Sequence, residues 1–355
     1  MHLSSSHPLA TEDSICMQVP VLGFALIFLA AVAGGALAVP LKSRRIFELE
    51  NIYIPSTLVM MLILPLLMAS FVLPHWAAAV RASGTATVCS GAAYGFGWGI
   101  GAILFGYGVT LAGMSVGFAI IMGINTAVGS ILPLVVGSRS EIFRPEGIVI
   151  LFGIAGCILG VAICGKAGAI REFQAAGTGQ ARRFGLAVIV CAASGVLSSC
   201  ANLGFSFTGR VGREALRLGA SPVFSTLASW MPVFWGATVS LLLWFGTLQL
   251  RRGTWRRNVG PGAAHDWWMG ILMGAIWFLA TIPYGMGAYY LGRMGTSVGW
   301  ALNIACSLIV ANVLGFITRE WKQAPPHALP VLYSGLGVLI VSIVLLAVGS
   351  SMTAP

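Results

Sequence analysis

Nine stretches of this chain carry no Asp, Glu, Lys or Arg: 14–41, 51–80, 82–138, 147–165, 184–209, 218–250, 267–292, 294–318 and 323–355. Each is at least 19 residues long and rich in Leu, Val, Ile, Ala and Gly. A helix rises about 1.5 Å per residue, so about 20 apolar residues cross a ~30 Å hydrocarbon core. Eight stretches hold one crossing each. The 57-residue stretch 82–138 holds two, with a break at Leu111-Ala112-Gly113. The pattern predicts an all-α integral membrane protein with ten transmembrane helices, at 20–40, 53–73, 88–109, 115–136, 147–167, 184–206, 224–247, 267–290, 296–317 and 329–349. A β-barrel would need apolar and polar residues to alternate. The run Met60-Met61-Leu62-Ile63-Leu64-Pro65-Leu66-Leu67 does not alternate.

Composition agrees. Charged residues are 8% of the chain, against roughly 25% in a soluble domain. The net charge of +10 reads as topology rather than nucleic-acid binding, because the basic residues fall in short loops and not on one face. Thirteen of the 20 lie on one side of the bilayer: Lys42, Arg44, Arg45, Lys166, Arg171, Arg182, Arg183, Arg251, Arg252, Arg256, Arg257, Arg319 and Lys322. The other seven are Arg81, Arg139, Arg144, Arg210, Arg213, Arg217 and Arg293. The positive-inside rule puts the richer side in the cytoplasm and both termini outside. Glu12 and Asp13 give residues 1–18 the wrong charge for a signal peptide, so the first span is expected to be retained. The seven Cys form no CxxC pattern and read as helix-packing residues.

The sequence also matches itself. Trp98, Gly106, Gly108 and Gly113 recur at Trp277, Gly285, Gly287 and Gly292, an offset of 179, which becomes 182 at Ser115 and Ser297. That offset is five helices, an odd number, so the second copy enters the membrane from the opposite face. The expectation is two inverted five-helix repeats, 20–167 and 184–349. They are joined by a cytoplasmic linker, 168–183, and flanked by tails at 1–19 and 350–355. Transporters built this way bind substrate near the midplane between the repeats.

Polar residues inside the spans are costly unless paired or wetted. Those with the right chemistry are Tyr94, Trp98, Asn125, Thr126, Ser198, Asn202, Ser229, Trp230, Trp277, Tyr284, Asn303 and Asn312. Amides can read hydroxyls and aromatic rings can stack on apolar sugar faces, so an uncharged set of this kind suits a neutral polyol. Each is also explicable as helix packing or an interhelical bond. Only Lys166 among charged residues lies within a span, near its end, and all five His lie outside. Glu50, at the start of the second helix, is the best available carboxylate for a proton. No nucleophile, acid–base pair or metal cluster argues for an enzyme.

The ordered motifs resemble the L-rhamnose–proton symporter family, within the drug/metabolite transporter superfamily. They are Pro40-Leu41-Lys42-Ser43-Arg44-Arg45 with Glu50; Trp98-Gly99-Ile100-Gly101 with Gly106; Gly113 through Gly117, Gly123-Ile124 and Val128-Gly129; Gly160 through Glu172; and Trp300 with Gly315 through Trp321. The resemblance implies proton-driven uptake of L-rhamnose or a related neutral sugar across a bacterial-type cytoplasmic (inner) membrane, with no cofactor beyond the coupling proton. It carries Trp98 and Trp300 over as motif positions and Glu50 as the acid after the basic loop. The implied partners are a small sugar and the bilayer, with no nucleic acid. The chain departs from the family's pattern at Ala102 and Leu104, which replace Asn, at Gly295-Thr296-Ser297, which replaces an acidic run, and at Asn303, which replaces His. A metabolite exporter of the same superfamily is the alternative expectation, and the sequence leaves the oligomeric state open.

Overall fold

The computed structural model describes residues 12–36, 40, 43–137, 142–173, 184–319, 321, 322 and 324–352, and these form helices and turns only. The long helices are α1 (Glu12–Ala36), α2 (Leu49–Val72), α4 (Thr85–Ala112), α5 (Met114–Gly137), α6 (Pro145–Phe173), α7 (Phe184–Phe207), α9 (Pro222–Arg252), α10 (Ala263–Tyr290), α11 (Gly295–Ile317) and α12 (Ala328–Met352). Short helices α3 (Trp76–Ala82) and α8 (Gly209–Arg217) cover one end. Among the described residues, nine helices are long and apolar enough to cross a membrane, and Pro20–Ala36 of α1 is a shorter apolar helix. Exposed Phe71, Ile189, Leu243, Leu279 and Val341 dress the outside of the bundle in apolar side chains, as hydrocarbon requires.

Two predicted boundaries shift. Helix α6 continues to Phe173, so the expected linker is helical over its first six residues, and 174–183 lie outside the described residues. Helix α1 begins at Glu12, eight residues before the expected span. Residues 1–11 and 353–355 of the expected tails, and Glu320, also lie outside the described residues.

The break expected at Leu111-Ala112-Gly113 is present. Gly113 ends α4 with φ +86, and Gly292, 179 residues further on, sits between α10 and α11 with φ +72. Both are left-handed conformations that a side chain would strain. Inside α2 the backbone widens to a π-turn over Val59–Ile63, where Leu64 N–H bonds the Val59 carbonyl.

Small residues decide which helices touch. Gly91, Gly95 and Gly99 form a buried stripe on α4 facing α9, and a Cβ at Gly95 would collide with the Val233 carbonyl. A Cβ on Gly236 of α9 would collide in turn with the Ala92 carbonyl. On its other face α4 meets α7, where a Cβ at Gly101 would come 2.5 Å from Ser198 N, and the Ser194 hydroxyl donates to the Gly101 carbonyl at 2.9 Å. Helices α6 and α12 interlock differently, with Leu346, Ser342 and Leu339 filling the hollows at Gly153, Gly156 and Gly160. Close backbone approach of this kind maximises dispersion where no hydrophobic effect separates protein from lipid. The pairings are α4 with α7 and α9, α10 with α1 and α2, α5 with α6 and α7, and α11 with α12 and α1.

One end of the bundle, here the basic end, is strapped by buried acids. Asp266, fully buried at the start of α10, accepts from the backbone N–H groups of Arg45, Ile46 and Phe47 at 2.7 to 3.0 Å and contacts His265 Nδ1 at 2.9 Å. The basic loop is thereby fixed to α10.

Replacing Gly95 or Gly236 by Val should stop α4 and α9 from docking, read as aggregation on detergent extraction. Gly106→Ala, whose Cβ would meet nothing within 4 Å, should be at least as stable as the parent, because Ala gains about 1 kcal/mol over Gly in a helix.

Candidate functional site

Helices α5, α7, α9, α10 and α11 bring aromatic and amide side chains to one buried cluster. Its hub is Asn202 of α7, fully buried. The Asn202 amide donates to the carbonyls of Gly129 on α5 (2.8 Å) and Thr296 on α11 (3.0 Å). Its oxygen accepts the Tyr284 phenol of α10 at 2.5 Å. Four helices thus meet at one side chain. Three of the four hydrogen bonds that an amide of this kind can make are accounted for.

Trp300 is the second element. Its indole N–H lies 3.3 Å from both the backbone and side-chain oxygens of Asn125, and its ring stands edge-on to Tyr284 at 5.5 Å. The ring lies against Gly129, where a Cβ would come 2.5 Å from the indole nitrogen. The absence of a side chain at 129 therefore serves twice, exposing a carbonyl to Asn202 and a surface to Trp300. Trp230 is the third element. It is stacked between Phe205 (4.7 Å, 15°) and Phe234 (5.4 Å, 14°) and meets Tyr284 edge-on at 6.1 Å. Its indole nitrogen is buried with no hydrogen-bond partner among the described residues. The cavity that Trp230 lines with Thr226 and Thr281 is about 10 Å³, the scale of one water.

Of the sequence-predicted residues, Asn125, Asn202, Trp230, Tyr284 and Trp300 converge here. Trp98 and Trp277 join at the edge, 6.0 Å from each other, with Trp98 6.5 Å from Trp230. Tyr94 lies one turn away on α4, against Phe207 and the hollow at Gly204. Thr126 is fully buried and its hydroxyl bonds the Met122 carbonyl of its own helix, a packing role. Asn303 lies on α11, its amide oxygen buried without a partner among the described residues. The hydrogen bonds of the cluster run among amides, a phenol, an indole and backbone carbonyls. None of these groups carries a charge, and each can bond a neutral hydroxyl.

Glu50 stands apart, at the basic end. It is 1% exposed, so it is a core residue and not a solvated one. Thr254 Oγ1 donates to it at 3.0 Å and Arg252 lies 3.5 Å away, while Gln249 bonds its carbonyl. All three partners follow from the end of α9. Glu48 makes a second, exposed ion pair with Arg257 at 2.7 Å.

Sequence reasoning missed several parts. Phe234 was accessible in principle, since it follows Trp230 by one helical turn and side chains four apart meet. The carbonyls of Gly129 and Thr296 and the ring of Phe205 carry no sequence signal. Asp266 was obscured by its place at the edge of a span, although among the described residues it is the acid that accepts from three backbone N–H groups.

Residues 17–354 match the sequence model of the L-rhamnose-proton symport protein (RhaT) family. An L-rhamnose-proton symporter of Cronobacter sakazakii (strain ATCC BAA-894) is 25% identical over 339 residues, covering 92% of this chain and 97% of that protein. One of Escherichia coli O1:K1 / APEC is 22% identical over 329 residues, covering 90% and 95%. With nearly its whole length matched, this chain belongs to the L-rhamnose-proton symport protein (RhaT) family.

Proposed function

We propose that this chain is a secondary transporter, not an enzyme, that takes up L-rhamnose or a related neutral sugar with protons by alternating access. The observation that carries the reading is Asn202, an uncharged hub through which four helices converge, in a chain of the RhaT family. Amides, the phenol and the unpartnered indole of Trp230 supply hydrogen bonds to sugar hydroxyls, and Trp98, Trp277 and Trp300 supply rings for its apolar face. The packed cluster leaves room for about one water, so sugar binding requires α5 and α11 to part.

The proposed architecture is ten crossings in two inverted repeats, 20–167 and 184–349, with Pro20–Ala36 as the first. Exchanging α1 with α7, α2 with α9, α4 with α10, α5 with α11 and α6 with α12 maps the observed helix pairings onto one another. The left-handed glycines at 113 and 292 exchange as well, and Trp98 touches its own repeat partner Trp277. These correspondences support the repeat. The tails 1–19 and 350–355 lie outside the bilayer in this reading, and residues 168–183 connect the repeats. The basic end faces the cytoplasm, which leaves both termini outside an inner membrane.

Glu50 is the proposed proton site. It belongs to the first repeat and its side-chain partners Arg252 and Thr254 to the second. Protonation removes the charge that binds Arg252 and loosens the tie between repeats. Coupling follows if proton and sugar together favour a state that neither favours alone.

Trp98→Ala and Asn125→Ala should each cut radiolabelled L-rhamnose uptake at least about tenfold, the loss of about 1.4 kcal/mol of binding, while the protein still reaches the membrane. Wild-type uptake in both would remove these residues from the site. Glu50→Gln should abolish protonophore-sensitive accumulation and retain sugar counterflow in vesicles. Accumulation against a gradient by this variant would transfer the proton to another group.

A further inference from the structure

A second cavity, larger than the one beside Trp230, lies away from the Asn202 cluster. It measures about 170 Å³ and opens at the basic end between α5, α6 and α11. That is well above the roughly 10–15 Å³ that holds one water. Its polar lining converges from three directions: Ser115 on α5, Arg171 on α6 and Asn312 on α11. Phe118 and Leu308 are among its apolar walls.

The groups are held in place. The guanidinium of Arg171 lies 4.7 Å from the centre of the Trp321 ring, a cation–π contact that helps to hold it in place. Asn312 uses one amide N–H on the Leu308 carbonyl at 2.8 Å, which fixes its rotamer and leaves an amide oxygen and a second N–H in its hydrogen-bonding capacity. Apolar walls with a few convergent, oriented polar groups are the usual make-up of a small-molecule site.

The position of the cavity links it to the cluster. Phe118 and Asn125 are seven residues apart on α5, two turns on one helix face, or about 10 Å at ~1.5 Å per residue. Trp300 and Ala311, which lines the cavity, are eleven apart on α11, three turns on one face. The same two helix faces therefore line the cavity and then close on each other at the Asn125–Trp300 contact. The two helices thus form one seam, with the cavity toward the basic end and that contact deeper in the bundle.

We infer that this cavity is a sugar-binding antechamber on the basic side, in which Arg171 and Asn312 hold the hydroxyls of a neutral monosaccharide before or after it passes the Asn125–Trp300 contact. The inference rests on the transport reading above and adds a second station to it. Trp321 is a positioning residue, acting through Arg171. A single cation over apolar walls also suits the phosphate of an anionic lipid. The continuous seam toward Asn125 favours the sugar, and the test separates the two.

Ala311→Cys puts a thiol at an exposed cavity position. In purified protein its modification by a polar thiol reagent is followed with the parent chain as background for the native cysteines. L-rhamnose should slow the reaction severalfold, and mannitol should not. In inside-out vesicles Asn312→Ala should raise the KM for sugar about three- to tenfold, the effect of one lost hydrogen bond, and leave the KM from the opposite face unchanged. If the parent chain transports L-rhamnose but the sugar does not protect the thiol, the antechamber is overturned and the transport reading stands. Protection by phosphatidylglycerol over phosphatidylcholine, and not by sugar, assigns the cavity to lipid and also overturns it. A parent chain that moves no L-rhamnose strikes the transport reading instead, and protection of Ala311→Cys then still reports whether the cavity binds sugar.

Discussion

Asn202 holds together what the sequence keeps far apart. Its amide reaches Gly129, Thr296 and Tyr284, on three other helices. In hydrocarbon no solvent competes for these groups, and each would cost several kcal/mol if left bare. The hub therefore ties α5, α7, α10 and α11 together through one side chain. It works only because neighbouring backbones are close enough to be reached. Gly129 supplies an accessible carbonyl and room for Trp300, so small residues and polar residues act as one device.

The ends of the bundle use charge where the centre uses amides. Asp266 is spent on backbone N–H groups of the loop at Arg45–Phe47 and makes a rigid strap. Glu50 is buried as deeply, but its partners are one hydroxyl and an Arg252 that is 58% exposed. A buried carboxylate resting on a solvent-facing cation is less thoroughly compensated than one wrapped in N–H donors. The difference separates an acid wrapped in backbone donors from one held by side chains at the end of α9 and just beyond it. Both lie at the basic end, as does the cavity between α5, α6 and α11.

Identities of 22–25% to L-rhamnose-proton symporters leave room for most surface and many core residues to differ. Several elements of this chain have a physical requirement behind them: left-handed glycines at two helix junctions, glycine stripes at helix crossings, and the rings of Trp98 and Trp300 at the cluster. The substitutions at Ala102, Leu104 and Asn303 fall on helices that line the cluster or pack beside it.

Spans, the turn at Gly113 and the uncharged character of the centre were legible in the chain, because hydrocarbon tests every residue against one local criterion and charge patterning records the result. Glycine spacing foretold that helices would touch closely. Which residues meet was decided only by tertiary packing. Tyr94 and Thr126 pass the same sequence filter as Asn125 and Asn202, yet one faces Phe207 and the other bonds its own helix. Glu50 reads as an interfacial acid until α9 folds over it, and the Gly129 and Thr296 carbonyls belong to every peptide unit alike. Polarity is a property of a residue, but partnership depends on the rotation and depth of two helices, and no single segment of sequence encodes that.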